Sequence, residues 1–134
     1  MIPLDMKIKA LLALIVAILA YFASDFDTKD KPQTKETKKN EKYYQSIFCK
    51  KHGGQTEVVL DDNTRVDCLT ANYAIEVDWA KKWAESIGQA LYYGIKTNKR
   101  PAVALIVEQK DHKHKKRLQT VAKVHKIKLY FINK

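Results

Sequence analysis

The alternation of hydrophobic and polar positions between residues 65 and 93 predicts a β-hairpin followed by a helix. Arg65–Leu69 and Tyr73–Val77 both alternate polar and apolar side chains, as strands with one covered face do. The Ala71–Asn72 step between the two runs supplies a turn. Asp78, a good N-cap, is followed as far as residue 93 by apolar positions at helical spacing, so we expect a helix to begin there.

This predicted helix separates its residues into an apolar side and a polar side. The apolar side forms a core face and comprises Trp79, Ala80, Trp83, Ala84, Ile87, Ala90 and Leu91. The polar row comprises Asp78, Lys82, Glu85, Gln89 and Tyr93. Lys81 is rotated away from that row by about a quarter turn. A solvated helix face would give the same pattern, but the row combines a cation, an amide and a phenol, which are groups that bind phosphate.

The predicted hairpin also carries two carboxylates. Asp67 lies on the first strand and Glu76 on the second, and a hairpin of this length can place them side by side on one face of the sheet. Like charges in that position repel each other unless a cation lies between them. The pattern therefore indicates a divalent metal site, because such cations prefer oxygen ligands.

The chain from residue 41 onward contains further helices and strands around this hairpin. Helical spacing predicts helices over Glu41–His52 and Lys113–His125. Apolar and β-branched runs predict strands over Thr56–Leu60, Pro101–Val107 and Lys128–Ile132. The resulting order, α-β-β-β-α-β-α-β, is that of an α/β domain, in which a right-handed crossover is the default.

Asp67, then Glu76, then a helix carrying Lys and Gln resembles the core of the PD-(D/E)xK nucleases, and most closely their Holliday-junction-resolvase-like and Mrr-like branches. The resemblance extends from about Glu41 to the C-terminus. It implies a restriction-endonuclease-like mixed sheet flanked by helices, and hydrolysis of DNA with Mg²⁺ or Mn²⁺. It further implies that Asp67, Glu76 and the backbone carbonyl of Val77 hold the metal, and that Gln89 orients the attacking water or a phosphate oxygen.

The chain departs from the family pattern two residues after Glu76. The family has a lysine there, and this chain has Asp78. Some members carry the lysine on the following helix instead, and Lys82 lies one helical turn beyond Asp78. Lys82 is therefore expected to be the catalytic lysine, which stabilises the charge that develops on the phosphate.

A third acidic ligand is expected from the first helix, because members of the family often supply one there. Glu41 is the only acid in that helix. The helix dipole would equally favour a glutamate in the first turn, so an ordinary structural role remains open for Glu41. Glu57, on the strand before the hairpin, is the competing candidate.

The charge of the chain indicates a polyanionic partner. Its 25 lysines and arginines outnumber 15 aspartates and glutamates, giving a formal charge of +10. Nucleic acid and an anionic membrane surface both fit this charge. The densest basic cluster includes Lys113, Lys115, Lys116 and Arg117. We expect these residues and Tyr93 to contact nucleic acid through its phosphates, without strong sequence specificity.

The N-terminal region differs in composition from the rest. Lys7 and Lys9 precede an apolar run, Ala10–Ala23, so residues 1–24 are expected to be a signal peptide, cut after Ala20, or a signal anchor. Residues 25–40 are almost wholly polar and charged, which predicts a disordered linker. The predicted domain at residues 41–134 would then be periplasmic, secreted or anchored to a membrane.

Export would also give a role to the two cysteines. Cys49 and Cys68 are the only cysteines of the chain, and an oxidising compartment would pair them in a disulfide. The alternative is a pair of buried thiols in a cytosolic protein.

Three functions fit these patterns. The first is a metal-dependent nuclease, and the second is a catalytically inactive nucleic-acid-binding module of the same fold, in which Asp78 records the loss of the lysine. The third is a membrane-tethered adaptor that binds anionic lipid. The joint presence of Asp67, Glu76, Lys82 and Gln89 favours the nuclease.

Overall fold

The structure, a computed structural model, describes residue 1, residues 3–24 and residues 39–134. It divides into two compact units, residues 1–36 and residues 37–134. The first unit contains helix α1 (Leu4–Ser24). Within the described residues, no helix is both long enough and apolar enough to cross a membrane. The predicted linker falls almost entirely outside the described residues, and the signal peptide or anchor at residues 1–24 stays a prediction.

The second unit begins with a helix and three consecutive strands, after which helices and strands alternate. From residue 39 onward its elements are α2 (Glu41–Lys51), β1 (Gln55–Val59), β2 (Arg65–Leu69), β3 (Tyr73–Trp79), α3 (Trp83–Thr97), β4 (Arg100–Val107), α4 (His112–His125) and β5 (Lys128–Asn133). Single turns of 3₁₀-helix, Ala80–Lys82 and Gln109–Asp111, precede α3 and α4. The predicted α/β class is confirmed.

The five strands form one mixed sheet in the order β1-β2-β3-β4-β5. The first three strands pair antiparallel, and β3, β4 and β5 pair parallel. The two parallel connections each contain a helix, α3 or α4, as a crossover between parallel neighbours requires. The mixed sheet that the resemblance implied is therefore present.

Both faces of the sheet are covered. One face packs against α2, through a cluster that includes Tyr44, Phe48, Ile75, Val77, Ala104 and Ile106. The other face packs against α3 and α4, through Ala90, Val103, Leu105, Leu118 and Ala122. This explains the unbroken apolar run of β4, since a strand that is covered on both sides has no polar face.

The prediction that a helix begins at Asp78 is wrong. Asp78 belongs to β3, where it pairs with Leu105 of β4, and it is only 3% exposed. The strand continues to Trp79, and α3 begins at Trp83. Asp78 suits the N-cap of a helix as well as the end of a strand. Its pairing with β4, which is distant in sequence, keeps it in the strand.

The polar row predicted for this helix is also partly wrong. Tyr93 is 7% exposed and packs with Val66 and Ala74, whereas Ala84, which was expected in the core, is exposed. The buried stripe of α3 consists of Ser86, Ala90, Tyr93 and Gly94. Its spacing is helical, but it is rotated from the expected stripe because α3 lies over β3 as well as β4.

Candidate carboxylate site

Asp67 lies beside the point where β2 and β3 separate. The register of these two strands comprises Cys68 with Ile75 and Leu69 with Ala74. One residue further along β2, Oδ2 of Asp67 accepts a hydrogen bond of 2.8 Å from the backbone N–H of Val77. The carboxylate thus takes an acceptor position that a strand carbonyl would fill in a continued ladder, and it lies directly between the two strands.

The backbone of Asp67 is fixed from the other side by α2. The Nε2 atom of Gln45, a residue only 3% exposed, donates to the carbonyl of Asp67 at 2.8 Å and to Oε1 of Glu57 at 2.9 Å. Glu57 also accepts a hydrogen bond from Arg65 at 3.0 Å. The hydrogen bonds from Gln45 and then Arg65 lower the pKa of Glu57. The charge of Glu57 in turn contributes to the raised pKa of Asp67, so this competing third acid also lies near Asp67.

Glu76 and Asp78 lie two residues apart on β3, so their side chains share one face of the sheet. Glu76 is 6% exposed, and its Oε2 atom has no hydrogen-bond partner within the described part of the chain. Oδ1 of Asp78 accepts a hydrogen bond of 2.7 Å from the N–H of Trp79. A buried carboxylate oxygen without a partner is costly. Oε2 of Glu76 is therefore available to accept a hydrogen bond or to contact a positive group.

The pKa values of the three carboxyls are all raised. Burial is the largest cause in each case, and the charges of neighbouring carboxylates add to it. All causes together raise the pKa of Asp67 to about 6, that of Glu76 to about 9 and that of Asp78 to about 7. Mutual repulsion of this kind arises only between groups that lie close together, and a bound cation would relieve it.

Glu41 joins this group from the N-terminus of α2. The side chain of Asn40 caps the helix by accepting a hydrogen bond of 3.0 Å from the N–H of Tyr43, which places Glu41 at the first helical position. A hydrogen bond with Glu41 contributes to the raised pKa of Asp78, and the charge of Glu41 contributes to that of Glu76. Glu41 is therefore beside the carboxylates, in addition to being well placed for the helix dipole.

Lys82 lies at the edge of the same group. Its Nζ atom is 3.6 Å from Oδ1 of Asp78, and the charge of Asp78 is the largest cause of the raised pKa of Lys82. Lys81 is turned away and lines a cavity on the other side of the 3₁₀ turn. We call Asp67, Glu76, Asp78 and Glu41, together with Lys82, the carboxylate site.

Gln89 and Tyr93 follow Lys82 along α3. The Oε1 atom of Gln89 is buried, and no hydrogen-bond partner for it exists among the described residues. Burial raises the pKa of Tyr93, and the charges of Glu76 and Asp67 raise it further. Tyr93 is therefore near the carboxylates, but its burial between α3 and the sheet differs from the accessible position expected for a nucleic-acid contact.

Sequence reasoning did not place Asp78 or Gln45 in the site. The position of Asp78 could have been predicted from the sequence, because a residue two positions after Glu76 lies on the same face of the sheet if the strand continues. Gln45 lies four residues after Glu41, hence on the same side of α2, but its two hydrogen bonds depend on how α2 packs across β2.

The four basic residues expected to contact nucleic acid lie on the first half of α4, but their surroundings differ from one residue to the next. Lys113 lines the cavity that Lys81 also lines. The Nζ atom of Lys115 lies 4.7 Å from the centre of the Phe131 ring. Lys116 and Arg117 are exposed. The cluster is therefore divided between a concave surface and an open helix face.

Cys49 and Cys68 form the expected disulfide, with their Cα atoms 5.5 Å apart. Both residues are fully buried. Because Cys68 directly follows Asp67, the disulfide ties α2 to β2 beside the carboxylate site.

The donor chemistry of the site fits a divalent cation, although its carboxyls do not converge on one point. Within the described residues, no group of three or more His, Cys, Asp or Glu side chains has the arrangement of a metal site. Asp67 and Asp78 are instead hydrogen-bonded to backbone N–H groups. The all-oxygen donor set, the mutual repulsion and the unpartnered Oε2 of Glu76 nevertheless suit a hard cation such as Mg²⁺ or Mn²⁺.

No protein-family model matches the chain, and no curated protein or solved structure is similar enough to count as a match. The resemblance to the PD-(D/E)xK nucleases therefore depends on the residues and geometry of this chain alone.

Proposed function

We propose that the protein is a metal-dependent phosphodiesterase that cleaves DNA, with a restriction-endonuclease-like fold. The main support is the grouping of Asp67, Glu76 and Asp78 on neighbouring strands, partly buried and mutually repelling, with Lys82 at its edge. Structural ion pairs also shift pKa values, but they pair acids with bases, whereas this site holds several acids and one lysine.

The roles of the residues follow from their positions. Asp67, Glu76 and the backbone carbonyl of Val77 would hold Mg²⁺ or Mn²⁺, with Glu41 as a further ligand. A bound cation of this kind lowers the pKa of a coordinated water and stabilises negative charge on a phosphate. Asp67 and Glu76, whose pKa values are raised, would bind such a cation in their ionised forms, because a protonated carboxyl is a poor ligand.

Lys82, at the end of the 3₁₀ turn, and Gln89 of α3 would act on the phosphate and the water. Lys82 would donate to a phosphate oxygen and stabilise the charge that develops there. The unpartnered Oε1 of Gln89 is an acceptor, which suits a water molecule, and its amide nitrogen can donate to a phosphate oxygen. Asp78 occupies the position at which the family has its lysine. Lys82 lies next to Asp78, so a lysine charge is still present near that position, although Lys82 belongs to the 3₁₀ turn and not to the strand.

A cleavage assay on the full chain tests the proposal. Supercoiled and linear DNA are incubated with the protein in Mg²⁺, in Mn²⁺ or in EDTA, beside the variant Glu76→Gln, which keeps the size of the side chain. We expect cleavage with either cation, and none in EDTA or with the variant. Cleavage that survives in EDTA, or an inactive wild type in both cations, would contradict it.

A second candidate is a catalytically inactive nucleic-acid-binding module. The observation that favours it is the pair between Lys82 and Asp78, which can hold the ammonium group away from a substrate. In that case DNA would bind and remain intact in the same assay.

We also propose that the domain works outside the cytoplasm, either secreted, periplasmic or anchored through residues 1–24. The buried disulfide supports this location, because disulfides persist mainly in oxidising compartments.

A further inference from the structure

A cavity of about 870 Å³ opens at the carboxyl ends of β3, β4 and β5. Its wall is formed by the start of α2, both 3₁₀ turns, the start of α4 and the last residue of the chain. The carboxyl ends of parallel strands are a common place for ligands in α/β sheets, and the volume lies in the range of small-molecule sites. Glu41 lines the cavity and also belongs to the carboxylate site, so the two adjoin.

The cavity wall has an excess of positive charge. Five of its lining residues are lysines and three are acids. Lys110 and Lys134 both pair with Glu108, whose single negative charge offsets one of their two positive charges. Lys81 and Lys113 have no ion pair with any acid in the described part of the chain. Two lysines without acidic partners on one concave surface favour an anion with several acceptor oxygens, such as a phosphate.

The wall also carries an aromatic surface. Trp79 lines the cavity at the end of β3 and is partly buried. Its ring meets the ring of Tyr44 edge to face, with centroids 5.7 Å apart, which fixes its orientation from the α2 side. Ile106 adds an apolar side chain to the wall. The ammonium group of Lys134 lies 5.9 Å from the centre of the indole ring. Lys81 and Lys113 line the same cavity as this ring. An indole and unpaired ammonium groups in one cavity match a ligand that combines a flat ring with a phosphate.

We propose that this cavity binds one nucleotide unit of a nucleic acid strand, with the base against Trp79 and the phosphate between Lys81 and Lys113. The assignment to a polymer rests on the proposed function, because the cavity adjoins the carboxylate site through Glu41. A strand held here would continue past the carboxylates, so the cavity positions the neighbouring phosphodiester. Lysines on an exposed helix face would contact only the phosphates of a nucleic acid. The cavity would in addition contact the base, through Trp79.

Binding to the full chain in EDTA, where no metal-dependent cleavage occurs, tests this inference. Thymidine 5′-monophosphate, thymidine and inorganic phosphate are titrated separately by calorimetry. We expect the nucleotide to bind more tightly than either of its parts. Lys81→Ala combined with Lys113→Ala should weaken nucleotide binding about tenfold or more, since charged hydrogen bonds are lost. Lys123→Ala, an exposed lysine at the other end of α4, is the matched control and should bind as the wild type does.

The base contact has its own variants. Trp79→Leu should weaken binding of the nucleotide about tenfold, the scale for losing a stacked base, and should leave binding of phosphate unchanged. Trp79→Phe keeps an aromatic ring and should retain most of the affinity. Circular dichroism melting of each variant shows whether it is folded before it is titrated.

Three results would overturn the inference: no binding of the nucleotide, equal affinity for the nucleotide and phosphate, or wild-type affinity in the Lys81/Lys113 variant. The experiments distinguish failure of this inference from failure of the proposed function. Nucleotide binding in a protein that never cleaves DNA would remove the nuclease and keep the cavity. Cleavage of DNA by a protein that binds no nucleotide in EDTA would do the opposite.

Discussion

The Nζ atom of Lys82 lies 3.6 Å from Oδ1 of Asp78, which joins the first turn after the sheet to the last buried carboxylate of β3. The two side chains differ in their surroundings, since Lys82 is 44% exposed and Asp78 is 4% exposed. The buried acid therefore fixes the direction of an exposed lysine. The charges of Glu41 and Glu85 also raise the pKa of Lys82, so its ammonium group lies near these two acids as well. The neighbouring Lys81 lines the cavity.

Replacing Lys82 tests whether this arrangement is catalytic. We expect Lys82→Ala to lower kcat on DNA by roughly 100- to 1,000-fold, the scale for loss of one donor to a developing oxyanion. The affinity for DNA should change little, because many other cations remain. Lys123→Ala is the control with the same loss of charge. Equal kcat values for the two variants would show that Lys82 only forms a partly exposed ion pair, worth about 1 kcal/mol or less.

Neutralising the basic residues of α4 tests the nucleic-acid surface. DNA binding in EDTA should weaken steeply between about 50 and 200 mM salt, because counterions are released from the phosphates. Replacing Lys113, Lys115 and Lys116 by alanine should reduce the slope of log affinity against log salt by roughly one unit per lost phosphate contact. An unchanged slope would show that these lysines are only solvated, and DNAs of unrelated sequence should bind equally.

Opening the disulfide should destabilise the domain. Cys49 and Cys68 are separated by 19 residues, and in the chain-entropy model closing such a loop is worth about 3 kcal/mol. We expect Cys49→Ala combined with Cys68→Ala to lower the free energy of unfolding in urea by about that amount. Wild-type protein with reductant should behave like the double variant. Identical urea midpoints with and without reductant would contradict a stabilising bridge, and two free thiols in protein taken from its own compartment would count against export.

The parts of the site that could be predicted are those set by local patterns. Strand alternation predicted that Asp67 and Glu76 lie close together, and the charge of Asp67 does raise the pKa of Glu76. Helical spacing predicted Lys82 one turn beyond Asp78, and Lys82 in fact ends a 3₁₀ turn that directly follows the strand. The position of Asp78 could not be fixed locally, because pairing with Leu105 keeps it in the strand. The two hydrogen bonds of Gln45, and the burial of Tyr93 against Val66, likewise arise from packing between distant segments. Local sequence carries no direct signal for such contacts.

Cation binding by the carboxylate site can be measured without any substrate. We expect the wild type to bind Mn²⁺ in calorimetry at about pH 8, and Asp67→Asn and Glu76→Gln to lose most of that affinity, because each removes a charged oxygen donor. Asp61→Asn is a suitable control, since Asp61 pairs with Lys96 on the exposed surface. Wild-type affinity in Asp67→Asn would exclude that residue as a ligand.

The raised pKa values of the carboxylate site predict how stability changes with pH. In the folded chain the pKa values of Asp67, Asp78 and Glu76 are about 6, 7 and 9, above their reference values of 3.8, 3.8 and 4.5. At about pH 2, well below the reference values, all three are protonated in the folded and unfolded chain alike. As the pH rises from there, the unfolded chain releases protons that the folded chain keeps, and unfolding becomes easier.

We therefore expect the melting temperature in EDTA to fall between about pH 5 and pH 9, and the fall to be smaller in Glu76→Gln, which cannot ionise at that position. Asp62 and Glu108, with pKa values lowered to about 2, act at lower pH and do not interfere in this range. If the carboxylates bind Mn²⁺ as proposed, adding it should raise the melting temperature more at about pH 8 than at about pH 5. A melting temperature that is independent of pH in EDTA would show that the pKa values of these carboxyls are not raised in the folded chain. A Mn²⁺ effect of equal size at both pH values would show that the cation does not bind these carboxylates.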